Sequence, residues 1–283
     1  IEQSNAREDG GAIYLIESNM TISAFFANRS WALSGGMIYA EGSMVTMKQS
    51  TVINSSATEA GGCFHLSGST LGLEQVRTIL CVSGNRGGFA YISSISKVHA
   101  FMLRIEQSIA GKGCGGLAFV TGGSYLTLLS SFADRIQAHG RGGGIFANDG
   151  STVTMETTNI SNVMLHSNED GEGSVYGEGG FIYMGKNVHL TGLKNVVENT
   201  TSLTGSCVFA DYTTHVIQGL QCSNSFAVHE GSIFIDGGLV HMSHVALRNG
   251  QAINTGGGLY IRKKASVAAI QMHISENTAQ NGG

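Results

Sequence analysis

The feature that most constrains this chain is a glycine doublet followed by a short apolar run, which recurs along its whole length. The run reads GGMIYA from Gly35, GGCFHL from Gly61 and GGFIYM from Gly179, and serine replaces the second glycine after Gly205 and Gly231. Its copies begin at residues 10, 35, 61, 87, 115, 142, 179, 205, 231, 256 and 282, so the spacings are 25, 26, 26, 28, 27, 37, 26, 26, 25 and 26 residues. A near-constant period in this range is typical of a solenoid in which each repeat forms one coil.

Each period contains three short strand-like pieces separated by Gly, Ser and Asn, which favours β-structure over helix. No segment shows the sustained three-and-four spacing of apolar residues that an amphipathic helix needs. The chain has no proline, as expected where most backbone N–H groups pair with a neighbouring coil. The sequence therefore predicts an all-β, right-handed parallel β-helix (β-solenoid) of about ten coils of ~26 residues, with three short strands per coil.

One period is longer than the others, with 37 residues between its glycine doublets. Solenoids carry such insertions as loops on one face. We predict a single β-helix segment over residues 1–283, part of a longer chain, with an inserted loop at about 166–178. Four carboxylates of this stretch are candidate calcium ligands, although a solvated glycine-rich loop is favoured because no EF-hand pattern is present: Glu169, Asp170, Glu172 and Glu178.

The composition limits the kinds of partner. Net charge is −4 and no basic run occurs, so nucleic acid is not an expected partner. No stretch of 18 apolar residues exists, so no membrane insertion is expected within this segment. We expect no metal and no cofactor.

The first strand of each period predicts an outward column of rings. Side chains alternate across a strand, and the fourth and sixth residues of each period, such as Ile38 and Ala40, are expected to face the core. The third residue, as in Met37, Phe89, Leu117, Phe181 and Ile233, is then expected to face outward. The fifth also faces outward, and it is mostly aromatic: Tyr14, Tyr39, His65, Tyr91, Phe119, Phe146, Tyr183, Phe209, Ile235 and Tyr260.

An outward stripe of this length would expose on the order of 500 Å², near the upper limit for a soluble monomer. The sequence thus predicts an interface along the eight aromatic residues of this column. The partner is another copy, another part of the same longer chain, or a carbohydrate that stacks on the rings. The alternative is that inside and outside are reversed and the rings form an interior ladder.

The repeats resemble those of the polymorphic outer membrane proteins of chlamydial surfaces, which carry GGAI and FxxN tetrapeptides. GGAI stands at Gly10–Ile13 and FxxN at Phe25–Asn28, with degenerate forms at Val82–Asn85 and Ile274–Asn277. The resemblance implies a secreted, non-enzymatic β-helix that adheres or builds surface structure, and it implies no catalytic residues.

Cysteines and sequons bear on the compartment. Cys63–Cys81 and Cys207–Cys222 are candidate within-coil disulfides of an extracellular protein, although buried free thiols fit the spacing equally well, and Cys114 is left over. N-x-S/T sequons begin at Asn19, Asn28, Asn54, Asn159 and Asn199. They are candidate N-glycosylation sites, or alternatively Asn-rich turns that carry no glycan.

A polysaccharide-cleaving enzyme is the further alternative, because such sites need paired carboxylates or a base with cationic helpers. Asp211, Asp236 and Arg262 end the first strand in three consecutive coils, which stacking would place ~5 Å apart. A surface ion-pair stack explains them as well, and the motif set of polygalacturonases is missing. We therefore predict a non-enzymatic extracellular structural protein that self-assembles into a cell-surface filament, hair or layer, with a glycan-binding or host-binding adhesin as the alternative.

Overall fold

The computed structural model describes residues 1–166, 168–169 and 175–282. These residues form a parallel β-solenoid whose coils stack in register, so that each strand pairs with the equivalent strand of the next coil. We number the coils 1 to 10 and call the three sides of the solenoid face 1, face 2 and face 3. A column is the set of equivalent residues in successive coils.

Face 1 follows the glycine doublets and forms a ten-stranded sheet of its own. Its strands are Ile13–Ile16, Ile38–Glu41, Phe64–Ser67, Ala90–Ser93, Ala118–Val120, Ile145–Ala147, Ile182–Met184, Val208–Ala210, Ile233–Asp236 and Leu259–Arg262.

Faces 2 and 3 together form a second sheet of 21 strands. Face 2 contains Asn19–Ser23, Met44–Lys48, Thr70–Glu74, Lys97–Phe101, Tyr125–Leu129, Thr152–Glu156, His189–Leu193 and Thr214–Gln218. Face 3 contains Ser4–Asn5, Phe26–Ser34, Thr51–Ala60, Arg77–Ser83, Arg104–Ala110, Phe132–Ala138, Asn159–Leu165, Asn195–Thr204, Leu220–Ser223, Phe226–Glu230 and Gln251–Ala252. In the last two coils one strand covers both faces, Leu239–Arg248 and Ser266–Ser275.

The core fills the tube between the three faces. Along face 1 the fourth and sixth residues of most periods point inward, as in Phe64 and Leu66, and both of these are fully buried. Each coil thus adds one layer of apolar side chains to a continuous core.

Glycine doublets form most of the bends where face 3 turns into face 1, and the bend at Gly61 and Gly62 shows why. Gly61 has a φ of +66°, and a Cβ there would lie 2.1 Å from the carbonyl oxygen of Phe64. A Cβ on Gly62 would lie 2.2 Å from the carbonyl oxygen of Gly88 in the next coil. Only a residue without a side chain fits this bend at both places.

The turn from face 1 to face 2, which we call the first corner, contains a column of buried serines. The Ser43 N–H donates to the Ser69 hydroxyl at 3.0 Å, and the Ser69 N–H donates to the Ser96 hydroxyl at 3.0 Å. These bonds satisfy backbone donors that the bend leaves without a ladder partner.

Two disulfides lie inside the tube, between Cys63 and Cys81 and between Cys207 and Cys222. Cys114 is a half-buried free thiol. The insertion leaves face 3 after His166 and returns before Gly179, and its described part is a short antiparallel pair of Asn168–Glu169 with Val175–Tyr176.

Candidate functional site

The most distinctive surface feature is an unbroken column of ten stacked rings on the outside of face 1, which we call the ring ladder. Neighbouring centroids are 4.5 to 5.4 Å apart, from the Phe119–Phe146 pair to the Phe234–Tyr260 pair. Its best-covered rings form an apolar cluster separate from the core. The ladder consists of Tyr14, Tyr39, His65, Tyr91, Phe119, Phe146, Tyr183, Phe209, Phe234 and Tyr260.

The outward position of the ladder agrees with the sequence prediction, but the residue assigned in coil 9 was wrong. Phe209 pairs with Phe234, and Ile235 pairs with the inward residue Ala210. The Cys207 N–H donates to the carbonyl oxygen of Ser232, so this coil has one residue fewer between its glycine and its strand. The shortened bend moves the aromatic side chain to the fourth place and keeps the ladder continuous.

The outward assignment of the third residue was also wrong. Met37, Phe89, Leu117 and Phe181 are all buried in the core. In these coils the strand starts at the fourth residue, so the third still belongs to the bend, where strict alternation does not hold. Ile233, which was also expected to face outward, is buried as well, because the shorter bend of coil 9 pairs it with the inward residue Val208.

Exposure along the ladder is graded rather than uniform. Tyr14 is 52% exposed, whereas Tyr183 is 4% and Phe209 is 3% exposed. Most neighbouring rings lie nearly parallel, with interplanar angles of 13° for Tyr14–Tyr39 and 6° for Phe146–Tyr183, so these neighbours cover each other's faces. The His65–Tyr91 and Phe234–Tyr260 pairs are tilted by 31° and 30°. A sugar that stacks on an aromatic residue needs a free ring face, and rings inside the ladder present only their edges. The geometry therefore disfavours carbohydrate stacking on the ladder.

Arginines lie against the later rings of the ladder. The guanidinium carbon of Arg86 is 5.3 Å from the Phe119 centroid, that of Arg141 is 4.9 Å from Tyr183, and that of Arg262 is 4.7 Å from Phe234. Such contacts stabilise a cation over an aromatic ring. They also help to cover the half of the ladder that solvent reaches least.

The three candidate catalytic residues share one column but are engaged differently. Asp236 accepts hydrogen bonds from Arg262 at 2.7 Å and from Lys263 at 2.8 Å. Burial alone would raise the pKa of Asp236, but these two cations outweigh it and hold the pKa below its ordinary value. Asp211 accepts a hydrogen bond from the hydroxyl of Tyr183 at 2.8 Å. An ionised carboxylate held by two cations is a poor general acid.

Glu178, one of the calcium candidates, pairs with Arg141 instead, at 2.7 Å. Burial raises the pKa of Glu178, and the neighbouring Arg141 opposes that rise. Asp170 and Glu172 lie outside the described residues, as does the side chain of Glu169. Within the described part of the chain no group of three or more His, Cys, Asp or Glu side chains has the geometry of a metal site.

The sequons are accessible in most cases. Asn19, Asn54, Asn159 and Asn199 are exposed, and Asn28 is half-buried. All except Asn19 lie on face 3, where Asn54 and Asn199 occupy a bend with positive φ. The Asn54 amide donates to the Asn28 side chain at 3.4 Å, so these two sites are neighbours in adjacent coils.

The sequence placed His65 in the outward column but gave this histidine no role of its own. The imidazole of His65 stacks between Tyr39 at 4.8 Å and Tyr91 at 4.7 Å. Burial lowers the pKa of His65 to about 4, with Asp9 opposing the shift. Its place in the aromatic column was the available signal.

A polar groove of about 620 Å³ lies on face 3 of the last coils. Its volume is within the range of ligand-binding clefts. Charged and amide side chains line it, among them Glu198, Gln221, Arg248, His273 and Glu276.

Comparisons with known proteins identify no relative. No protein-family model matches the chain, and no curated protein and no solved structure is significantly similar to it. Among the residues that the structure describes, no helix qualifies as a membrane span.

Proposed function

We propose that this chain is a rigid, non-catalytic β-solenoid rod of an extracellular surface or filament protein, and that it associates with copies of itself. The observation that carries the proposal is the unbroken ring ladder. Ten rings stack across ten coils on the outside of the solenoid, and apolar side chains pack between the same coils in the core. A repeat protein gains its stability from such contacts between neighbours, so the arrangement favours length and stiffness.

The ionic groups along face 1 support a structural role. Asp236 is held by Arg262 and Lys263, Glu178 is paired with Arg141, and Asp211 accepts from Tyr183. Each of these contacts joins neighbouring coils. The carboxylates that a polysaccharide-cleaving site would need are thus bonded to residues of neighbouring coils.

The two disulfides support an oxidising compartment, because such bonds persist outside the cytosol and are rare within it. An extracellular location also agrees with the resemblance of the repeats to bacterial surface proteins.

An adhesin that binds glycan is the second candidate, favoured by the polar groove on face 3. Titration of the chain with neutral and acidic oligosaccharides, followed by calorimetry, tests it. Binding that is lost in Arg248→Ala would favour the adhesin.

Sedimentation velocity over a wide concentration range tests the proposed function, combined with an assay for newly formed sugar ends on acidic and neutral polysaccharides. We expect concentration-dependent association and no cleavage. A monomer at every concentration, or cleavage that Asp211→Asn abolishes, would overturn the proposal.

A further inference from the structure

We propose that two copies of this chain pair side by side and antiparallel along the first corner; this inference rests on the self-association proposed above. The first corner is the edge formed by residues 16–18, 41–43, 67–69, 93–96, 121–124, 148–151, 185–188, 211–213, 236–238 and 262–265. It runs the length of the described coils beside the ring ladder.

Large apolar side chains are strongly exposed on this edge. Ile95 is 68% exposed and Tyr212 is 60% exposed, and Ile16 at the start of the edge is 48% exposed. Met44, the first residue beyond the edge in coil 2, is 54% exposed. No side chain projects from the edge at intervening glycines such as Gly68 and Gly122.

Charge is distributed unevenly along the same edge. Coils 1 and 2 present the exposed carboxylates Glu17 and Glu41, whereas coil 10 presents the exposed cations Lys263 and Lys264. The wider sequence has the same bias. Residues 1–60 contain six carboxylates and three Lys or Arg, a balance of −3, and the last 60 residues, 224–283, contain three carboxylates and four Lys or Arg, a balance of +1.

These charges decide the orientation of the pair. In a parallel, in-register pair Glu17 would face Glu17 and Lys264 would face Lys264, and like charges opposed across an interface are costly. In an antiparallel pair coil 1 faces coil 10, so Glu17 of each copy meets Lys264 of the other, while Lys263 stays bonded to Asp236 of its own chain. Coil 2 faces coil 9, where Asp236 is buried and is held by Arg262 and Lys263. A two-fold axis forms this contact twice.

The same register matches the apolar side chains. Coil 8 then faces coil 3, which brings Tyr212 against the exposed Gly68. Coil 4 faces coil 7, which brings Ile95 against the stem of Lys186, also exposed.

The length of the edge limits the size of the interface. Ten coils at ~4.8 Å give an edge about 48 Å long. A contact ~14 Å wide would bury about 700 Å² per copy, near the lower limit for a specific interface. The pair is therefore expected to be weak and sensitive to salt.

A charge-swap series tests the proposal on the chain itself. Glu17→Lys and Lys264→Glu each place like charges at both ends of the pair, and the double variant restores opposite charges. Both positions already have a positive φ, so the swap adds no new backbone conformation. Glu156→Lys, an exposed change on face 2, is the matched control.

Size-exclusion chromatography with light scattering gives the readout, and urea unfolding checks that each variant folds. We expect each single change at the corner to weaken association about tenfold or more, the double variant to recover it, and the control to leave it unchanged. Single variants that associate as well as the parent chain would overturn the first corner as the interface and leave self-association standing. A parent chain that stays monomeric would overturn both.

Discussion

The rings of Phe209 and Phe234 stack 4.9 Å apart, with their planes inclined by 11°, on the outside of two successive coils. Both are almost fully buried although neither belongs to the core of the tube. Stacked rings cover their faces, and Arg262 lies 4.7 Å from the centroid of Phe234. The ladder is thus a second apolar spine, parallel to the core.

Removal of a ring from the middle of this spine should be costly. Phe209→Ala removes contacts with both neighbours, and we expect the free energy of unfolding to fall by about 3–4 kcal/mol. Tyr14→Ala, at an exposed ring with one stacked neighbour, should cost less than about 1 kcal/mol. Urea unfolding of the two variants measures the difference. Equal losses would mean that the ladder adds nothing beyond ordinary surface contacts.

His65 should make the rod sensitive to acid. Its pKa is about 4 in the folded chain, below the ordinary value of 6.5, so the unfolded chain binds the proton first as pH falls. Stability should therefore be constant above about pH 6.5 and decline towards pH 4, by on the order of 3 kcal/mol from this residue. His65→Phe keeps a ring in the ladder and should flatten this part of the profile. A profile that is unchanged in the variant would contradict the assignment.

Asp236 should stabilise the folded chain in its charged form, whereas His65 does so in its neutral form. Its pKa is lowered in the folded chain, so its contribution is present above about pH 4 and is lost as pH falls further. Asp236→Asn leaves Arg262 and Lys263 without a charged partner and should cost about 2 kcal/mol at pH 7. Thermal unfolding at pH 7 and pH 3 tests this, with Glu156→Gln as an exposed control. A loss that is equally large at both pH values would rule out the ion pair as its source.

The disulfide between Cys63 and Cys81 closes a short loop inside the tube, with a sequence separation of 18. Replacing both residues with alanine should lower the free energy of unfolding by about 3 kcal/mol, because the unfolded chain regains freedom. Cys114→Ala removes a thiol that forms no disulfide and serves as the control. If the two variants unfold at the same urea concentration, the bond does not stabilise the rod.

The sequence predicted the coils because a period of about 26 residues is visible without any knowledge of contacts. It also predicted that residues such as Tyr39 and Tyr91 point outward, because side chains alternate within a strand. It did not predict Phe234, since counting from Gly231 assumes a bend of fixed length, and coil 9 has one residue fewer.

The bonding of the charged residues in the candidate site depends on how strands of neighbouring coils are aligned. Asp236 and Arg262 are 26 residues apart, and only the stacking of coils 9 and 10 brings them to 2.7 Å. The burial of Phe209 was likewise hidden, because a ring counted as exposed in one strand is covered once its neighbours stack on it. The repeat predicted that Asp211, Asp236 and Arg262 lie in neighbouring coils, but it gave neither their burial nor which of them bond to each other.

Electron microscopy of the purified chain at increasing concentration shows directly whether the chain forms rods that associate. We expect straight, uniform rods that pair along their sides as the concentration rises, with the paired fraction falling at high salt. Flexible or irregular particles, or single rods that never pair, would contradict the proposed function.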